Sequence, residues 1–549
     1  MSTGSAAESN TFERVCSEII NRILQEDLDR DDIEPLKREV CSEHSAPRVP
    51  KNTELLDHAP DGRREDLEAI LQRKPVRTAS GVSPVAIMTS PKTCPHGQCL
   101  YCPGGPDSEF SSAQSYTGDE PAAARAEQND YDPYGQVTLR LNQLREIGHP
   151  VDKTELIVMG GTFPARSHDY QEFFVKRALE AMNDFDPEAE PNPAEGKSFA
   201  QDPSEYEFKY LEDIIEENET ASVRNIATTF ETKPDWCDIE QIDRMLSLGG
   251  TKVEVGVQTT FERVNREMRR GHGIQESIDA NRRLRDAGFK VGFHMMPGQP
   301  GTSLEMVRED FRRIFEQSDW RPDYLKIYPT LVVPDTVVYD MHHRDEFSPL
   351  KSERAAELIA DIKEMIPPYT RLQRVMRDIP AGHISAGIQK SNLRQLARHE
   401  LEDRGETCRC IRCREVGMNE ETPDSIELLE QRYEAVGGTE YFLSFEDQDQ
   451  DLLIGFCRLR FPGNPHRPEL QNAAIIRELH VYGNQIGIGK SSDDWQHQGY
   501  GKQLLARAEE ITADAGYDRL AVISGIGARE YYRNKLEYEQ DGPYVVKDL

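Results

Sequence analysis

Cys94-Pro-His-Gly-Gln-Cys99-Leu-Tyr-Cys102 decides the reading of this chain, with three thiols in the spacing C-x4-C-x2-C. Thiolates are the usual ligands of iron–sulfur clusters, and a loop this tight sets three of them on one cluster. Three ligands leave one iron of a 4Fe–4S cluster open. An open iron chelates the amino and carboxylate groups of S-adenosylmethionine and passes an electron to its sulfonium. Two other readings share the spacing. One is a zinc site; the other is a ferredoxin-type cluster, whose fourth cysteine would have to be Cys237. Pro103-Gly-Gly-Pro106 follows at once and suits a backbone that runs close to a cofactor.

Outward from this loop, short apolar runs alternate with amphipathic helical patterns. The runs are Val82–Met88, Glu155–Met159, Asn225–Thr229, Lys252–Val257, Lys290–Met295 and Tyr324–Tyr328. This alternation predicts parallel βαβ units, hence an α/β fold built on a complete or partial (β/α) barrel. Ligands in such folds gather at the carboxyl ends of the strands. The segments placed there are Gly160-Gly-Thr162, Glu231-Thr-Lys233, Gln258-Thr259, Pro297-Gly-Gln299 and Pro329-Thr330. Gly160-Gly161 after the next strand favours the radical S-adenosylmethionine (radical SAM) reading over the other two. The organisation expected is a helical, basic-ended region over 1–75, the radical SAM domain over 76–370, a zinc-binding connector over 371–429, and a second α/β unit over 430–549. In the first region Phe12–Leu24 and Arg64–Leu71 read as helices. The basic run Gln72-Arg-Lys-Pro-Val-Arg77 reads either as an appendage or as an RNA-contacting arm through Arg73, Lys74 and Arg77. An acidic, Pro-containing insertion over 183–208 reads as a solvated loop.

The formal net charge is −32, from 98 acidic against 66 basic residues. A nucleic-acid partner needs Lys and Arg against phosphate, but the acid is spread along the chain, so a local basic surface remains compatible with the total. No basic segment followed by an apolar stretch marks a signal peptide, and no run of 18 apolar residues marks a membrane span. The ten cysteines include two tight clusters, which favours metal over disulfide. A cytoplasmic protein with metal sites is the expectation.

Gln496-His-Gln-Gly499-Tyr-Gly501 precedes a helical pattern over Lys502–Ala515. Glycines let successive N–H groups turn inward, and a helix amino terminus adds positive potential, so the loop suits a pyrophosphate. The segment matches the Q-x-x-G-x-G loop of GNAT-type acetyltransferases. Its flanks fit: strand candidates Tyr441–Phe445, Leu452–Leu459 and Ile475–Val481 lie upstream, Ala521-Val-Ile-Ser524 and Tyr531-Tyr532 downstream. Tyr531 and Tyr532 read either as catalytic residues near a thioester or as core aromatics. Cys408-Arg-Cys410-Ile-Arg-Cys413 offers three thiolates of a tetrahedral, structural zinc site, with His383 or His399 as candidate fourth ligand.

Together the two signatures resemble the catalytic-subunit family of the Elongator complex, in its stand-alone archaeal form. The blocks that carry the resemblance include Arg77-Thr-Ala-Ser-Gly81, Gln114-Ser-Tyr-Thr-Gly118, Val158-Met-Gly-Gly-Thr-Phe163, Glu254-Val-Gly-Val-Gln258, Leu325-Lys-Ile-Tyr-Pro-Thr330 and Arg477-Glu-Leu-His-Val-Tyr-Gly483. The resemblance implies the following reaction. Cleavage of S-adenosylmethionine yields a 5′-deoxyadenosyl radical that takes hydrogen from the methyl group of acetyl-CoA. The carbon radical adds to carbon five of the wobble uridine of tRNA, and thioester hydrolysis leaves a carboxymethyl group. It also implies that Lys153 reaches acetyl-CoA from the radical domain, that Glu478, Leu479, His480 and Val481 with Gly499, Tyr500 and Gly501 bind pantetheine and pyrophosphate, and that Tyr531 closes the site. No obligatory partner subunit is implied, and a homodimer stays open. Two competing functions are a lysine acetyltransferase with a vestigial cluster domain and a non-catalytic RNA-binding scaffold. Both sit poorly with three intact cysteines.

Overall fold

The computed structural model describes residues 4–25, 32–44, scattered positions between 46 and 71, 81–189, 209–390, 392–419, 421–483 and 499–549. The first sheet holds β1 (Ser83–Met88), β2 (Lys153–Met159), β3 (Arg224–Thr232), β4 (Lys252–Gln258), β5 (Lys290–Met295), β6 (Tyr324–Ile327) and β7 (Arg371–Val375). All pairs are parallel, and the strands stand in chain order. Parallel neighbours need long crossovers, which helices such as His168–Asp184, Ile274–Asp286 and Leu304–Glu316 supply. The helix Leu304–Glu316 shows how: Val307, Phe311, Ile314 and Phe315 recur at helical spacing and are buried, while the Ser303 side chain caps its start by accepting from the Met306 N–H at 3.2 Å. Among the described residues the end strands β1 and β7 do not pair with each other, so the barrel is partial.

The expected strands fall where the apolar runs are, with one addition. β7 extends the sheet into the stretch read as connector. Its sequence, Arg-Leu-Gln-Arg-Val, is half polar because an end strand is covered on fewer sides.

The second sheet holds β8 (Glu427–Ala435), β9 (Gly438–Asp447), β10 (Leu452–Phe461), β11 (Ala473–Val481), β12 (Arg519–Val522), β13 (Glu539–Asp541) and β14 (Tyr544–Asp548), in the order 13-14-12-11-10-9-8. β11 and β12 are its parallel pair, and the helix Tyr500–Asp514 links them. At the amino terminus, the helices Gly4–Gln25 and Ile33–Glu43 form a small core of their own through residues such as Val15, Ile19, Leu36 and Val40. Most of Arg64–Leu71, the basic run with Arg73, Lys74 and Arg77, most of the acidic insertion, and Gln496–Gln498 lie outside the described residues. No helix among the described residues is long and apolar enough to cross a membrane.

The two sheets share a seam. Ile475, Ile523, Ile526 and Tyr544 belong to the same apolar core as the barrel. A Cβ on Gly525 would stand 1.9 Å from the Ile226 carbonyl oxygen of β3, so only glycine allows the two backbones to approach this closely. Beside this apolar contact lies buried charge. Arg477 bonds Asp323 at 2.6 and 2.8 Å, Glu440 at 2.7 Å and the Phe289 carbonyl at 3.0 Å. Arg285 bonds Glu440 at 2.9 Å, and Arg460 bonds Asp286 at 2.6 Å and Glu440 at 2.9 Å.

Candidate functional site

Cys94, Cys99 and Cys102 follow β1 at the carboxyl end of the barrel and line one pocket with Gly161, Thr162, Thr232, Gln258 and Arg270. The loop is shaped by close backbone approach. A Cβ on Gly104 would meet the Tyr116 carbonyl oxygen at 2.4 Å, and one on Gly160 (φ +117°) would meet Thr89 Oγ1 at 2.3 Å. Each thiol has a polar neighbour: Thr162 Oγ1 lies 3.6 Å from Cys94, Ser115 Oγ lies 3.0 Å from Cys102, and Arg270 donates to Cys99 at 3.4 Å. Burial, with Cys99 close by, pushes the Cys102 thiol up to about 12, and burial raises Cys94 as well. Protein surroundings alone therefore hold these two groups as thiols, whereas a bound metal centre would deprotonate its ligands outright. Burial and the nearby Lys233 and Arg270 bring His96 down to about 4.

The pocket also carries polar atoms with nothing to bond. His96 Nδ1, Thr232 Oγ1 and Gln258 Oε1 are buried without a hydrogen-bond partner. Gln258 ends β4 with φ +71°, a left-handed conformation that costs a non-glycine residue about 1–2 kcal/mol. Native interiors rarely leave such groups unsatisfied. Three thiols beside unused donors and acceptors fit an iron–sulfur cluster together with a polar co-ligand. Cys237 takes no part: it is buried in the apolar core, with its thiol against the Lys233 carbonyl at 3.5 Å.

A second cavity of about 1380 Å³ opens next to this pocket, between the two sheets. Met159, Glu231, Arg374 and Arg377 line both, so the two spaces adjoin. Lys153 on β2, Glu478, Leu479 and His480 on β11, and Tyr531 and Tyr532 on the helix Arg529–Leu536 all line the larger cavity. Twelve of its lining residues are Lys or Arg against five Asp or Glu, so the chain's acidic total hides a basic interior. Burial brings Lys290 down to about 8, against the pull of Glu478, and burial lowers Lys153. Glu231 is held from two sides: Lys326 donates to it at 3.0 Å and the Tyr116 hydroxyl at 3.2 Å. Lys326 also pairs with Glu254, which accepts from His294 at 2.9 Å. Although burial opposes it, Lys326 and Lys252 hold the Glu254 carboxyl well below the usual range.

Val481, Gly499, Tyr500 and Gly501 are not among the residues that line this cavity. Gly499 (φ +83°) precedes the helix Tyr500–Asp514, and a Cβ on Gly501 would touch Val481 Cγ2 at 3.6 Å. The ladder between β11 and β12 ends at Ile476, short of Glu478–Val481. Tyr531 is 42% exposed and Tyr532 is 7% exposed, their rings edge-to-face at 5.7 Å.

The ligand atoms of Cys408, Cys410 and Cys413 lie within 4.8 Å of one another, a spacing open to a metal ion. Neither candidate fourth ligand joins them. His383 bonds Asp119, and His399 is exposed beside Glu402 at 3.3 Å. Arg270 and Ser115 join the cysteines in space although motif spacing does not single them out, because long stretches of chain separate them from the thiols they touch.

Comparison with known proteins matches the chain to the ELP3 N-terminal domain over 12–79, the Radical SAM superfamily over 88–314, the Radical SAM C-terminal domain over 322–403 and the Acetyltransferase (GNAT) family over 406–538. A tRNA uridine(34) acetyltransferase of Methanocaldococcus infernus is 44% identical, over 97% of this chain and 98% of that protein. One of Methanocaldococcus jannaschii is 45% identical, over 97% of each. Elongator complex protein 3 of Saccharomyces cerevisiae is 40% identical, over 91% of this chain and 89% of its own. The solved structure of the archaeal Methanocaldococcus infernus Elp3 with residues 1–46 deleted superposes with a TM-score of 0.73 at 41% identity, covering 86% of this chain and 100% of that one.

Proposed function

The chain belongs to the family of the tRNA uridine(34) acetyltransferases and Elongator complex protein 3, and on that premise we propose that it installs a carboxymethyl group on carbon five of the wobble uridine of tRNA, using S-adenosylmethionine and acetyl-CoA. The observation that carries the reading is the adjoining of the two cavities. Met159, Glu231, Arg374 and Arg377 wall both the cysteine pocket and the space that β11 faces. Chemistry that joins two bound molecules needs them side by side.

In this reading Cys94, Cys99 and Cys102 hold a 4Fe–4S cluster. The cluster, when bound, supplies one electron for cleavage of S-adenosylmethionine. Arg270 places positive charge on the thiolate side, donating to Cys99 at 3.4 Å. Thr232 and Gln258 offer their unused polar atoms to the nucleoside or amino-acid portion of S-adenosylmethionine. The Glu478–Val481 backbone, beyond the end of the β12 ladder, takes the pantetheine arm, and the helix amino terminus at Gly499 takes the pyrophosphate. Lys153 reaches the acyl end from β2, and the Tyr531 hydroxyl closes it from the helix Arg529–Leu536. The basic walls meet the phosphates of the tRNA anticodon loop. Cys408, Cys410 and Cys413 hold a structural zinc at the junction of the two domains. The protein works in the cytoplasm without an obligatory partner subunit.

The test is anaerobic reconstitution with iron and sulfide, then incubation with tRNA, acetyl-CoA, S-adenosylmethionine and a reductant, reading wobble nucleosides by mass spectrometry. Carboxymethyluridine at the wobble position is expected. Acetyl-CoA consumption with full cluster content and unmodified uridine would overturn the reading.

A further inference from the structure

Two successive residues of β11 grip two successive residues of the barrel. A β-bulge makes this grip possible. Arg458 pairs with Glu478 across β10 and β11, but Leu459 pairs with Ile476, so Arg477 is the extra residue. Side chains of a regular strand alternate between faces; a bulge re-aims them. Here both Arg477 and Glu478 turn to the seam. Arg477 saturates its guanidinium on Asp323, Glu440 and the Phe289 carbonyl. Glu478 accepts from the Tyr324 hydroxyl and, at 2.8 Å, from Arg458 Nε. Asp323 and Tyr324 adjoin at the start of β6. Asp323 is itself fixed to the barrel, accepting from the Val291 N–H at 2.8 Å through its carboxylate and from the Arg371 N–H at 2.8 Å through its carbonyl.

The grip reaches from the buried seam to the cavity wall. The side chains of Arg477 and Asp323 are fully buried. Arg477, Tyr324 and Glu478 line the large cavity, and the residues two steps along from Tyr324 and Glu478 face the chemistry. On β6 that residue is Lys326, which holds Glu231, a wall of both cavities. On β11 it is His480, in the wall assigned above to the pantetheine arm. One contact would allow β11 to pivot over β6, whereas two adjacent contacts set its direction. Two residues of strand span only about 7 Å, so a small rotation at Glu478 moves the acyl end by a comparable fraction of a bond length to an ångström, enough to misplace a reacting atom.

We propose that Tyr324 and Glu478 are positioning residues, which with the Arg477 bulge aim the acyl-carrying strand at the cysteine pocket and so decide how much S-adenosylmethionine cleavage ends in modified uridine. This inference rests on the function proposed above.

The experiment uses the full-length reconstituted protein with tRNA. Tyr324→Phe keeps the ring and removes the hydroxyl that Glu478 accepts from. The readout is wobble product formed per 5′-deoxyadenosine, alongside the acetyl-CoA Kd, the thermal midpoint and amide exchange over Glu478–Val481. The expected result is at least a fivefold fall in product per 5′-deoxyadenosine with Kd within twofold, an unchanged midpoint, and faster exchange in Glu478–Val481 than in the β9–β10 ladder. Glu478→Gln should give the same fall in product per 5′-deoxyadenosine, with a lower midpoint as well because it also removes the carboxylate that Arg458 donates to at 2.8 Å. The double variant should be no worse in product ratio than the stronger single one, because both changes break the Tyr324–Glu478 contact. If Tyr324→Phe does not fold, Glu478→Gln carries the same test. An unchanged ratio in a folded variant overturns the inference, as does a fall matched by an equal loss in Kd and midpoint. A wild-type protein that makes no wobble product overturns the functional reading, and the inference with it.

Discussion

The seam and the cysteine pocket are both buried and both polar, yet they are opposites in how that polarity is satisfied. In the seam, Arg285, Arg458, Arg460 and Arg477 face Asp286, Asp323, Glu440 and Glu478, four charges of each sign and almost every donor bonded. Its one orphan among the described residues is Arg458 Nη1, which still lies 3.6 Å from Asp323. In the pocket, His96 Nδ1, Thr232 Oγ1 and Gln258 Oε1 have no partner, Gln258 is in a left-handed conformation, and two of the thiols are held protonated. Each unsatisfied buried group costs about 1–3 kcal/mol, and folding alone gives no return for it. The difference teaches that buried charge by itself does not mark a site. A closed network holds two domains together, and an open one waits for a ligand.

The comparison breaks if removing the pocket's thiols damages the fold. Replacing Cys94, Cys99 and Cys102 together with Ala should abolish cluster absorbance and 5′-deoxyadenosine formation completely. The apo variant should melt only a few degrees below the apo wild type, since Cys99 and Cys102 pack in a small cluster apart from the main core of the barrel. A collapse in stability would show that the pocket is structural. Arg477→Met should do the reverse, leaving Asp323 and Glu440 buried without a cation that both share. Breaking a buried pair from one side costs about 3–5 kcal/mol, so the thermal midpoint should fall clearly while the cysteines of the folded fraction still bind iron. The seam also predicts a pH dependence. Burial would raise Asp323, but Arg285, Arg477 and Arg458 overcome it and hold its carboxyl well below the usual carboxylate range. A depressed folded value means that the contribution is complete above the unfolded value of about 3.9 and is lost as pH falls through the folded one. Wild-type stability should therefore decline from about pH 4 downward, and less steeply in Arg477→Met. Equal acid slopes would remove Asp323 from the account.

The same contrast explains what could be read from the chain. The thiols of Cys94, Cys99 and Cys102 were legible because their spacing is local. β1 to β6 were legible because a strand covered on both faces is a short apolar run, as in Phe-His-Met of β5 after Lys-Val-Gly. β7 was not, since Arg-Leu-Gln-Arg-Val carries polar residues where cover is thin. The seam left no trace at all. Asp323, Glu440 and Arg477 are spread over more than 150 residues of an acidic chain and look like any solvated charge. Only a bulge in β11, which no residue pattern announces, brings them together. Lys153 starts a strand as solvated lysines do, and the family resemblance alone pointed to it; it lines the same cavity as Glu478, Leu479 and His480. Gln258 reads in the sequence as a polar residue at the end of a strand and of one resemblance block, with no role of its own, because its φ of +71° and its orphaned oxygen belong to the folded chain.

A smaller effect sharpens the comparison at the start of the helix Tyr500–Asp514. Gly499 adopts φ +83° ahead of the helix Tyr500–Asp514, and no atom of the described residues lies within 4 Å of the position a Cβ would take. Gly499→Glu therefore meets about 1–2 kcal/mol of backbone strain but no clash, and a carboxylate at a helix amino terminus is electrostatically welcome to the helix itself. It is unwelcome to a pyrophosphate. Acetyl-CoA affinity should fall at least tenfold, iron content and tRNA affinity should stay unchanged, and wobble product should fall with acetyl-CoA occupancy. Normal carboxymethyluridine yield from this variant would mean that the carbon donor does not bind at this helix, and the two domains would have to be treated as separate enzymes.

The smallest expected effect separates Tyr531 from its neighbour. Both tyrosines line the cavity, but Tyr531 is 42% exposed while Tyr532, at 7%, belongs to the apolar core of the second sheet. Burial raises the Tyr531 hydroxyl, so at neutral pH it is a phenol that donates a hydrogen bond and does not act as a phenolate base. A single neutral hydrogen bond contributes about 0.5–1.5 kcal/mol, which corresponds to roughly a twofold to thirteenfold change in rate. Tyr531→Phe keeps the edge-to-face packing on Tyr532 at 5.7 Å and removes only that donor. Turnover of acetyl-CoA should fall by this factor at saturating substrate, with the thermal midpoint unchanged. Tyr532→Phe should leave turnover nearly intact, because that ring serves packing. If the two results exchange places, the hydroxyl at the acyl end belongs to Tyr532, and the exposed ring of Tyr531 is a wall of the cavity without a part in the chemistry.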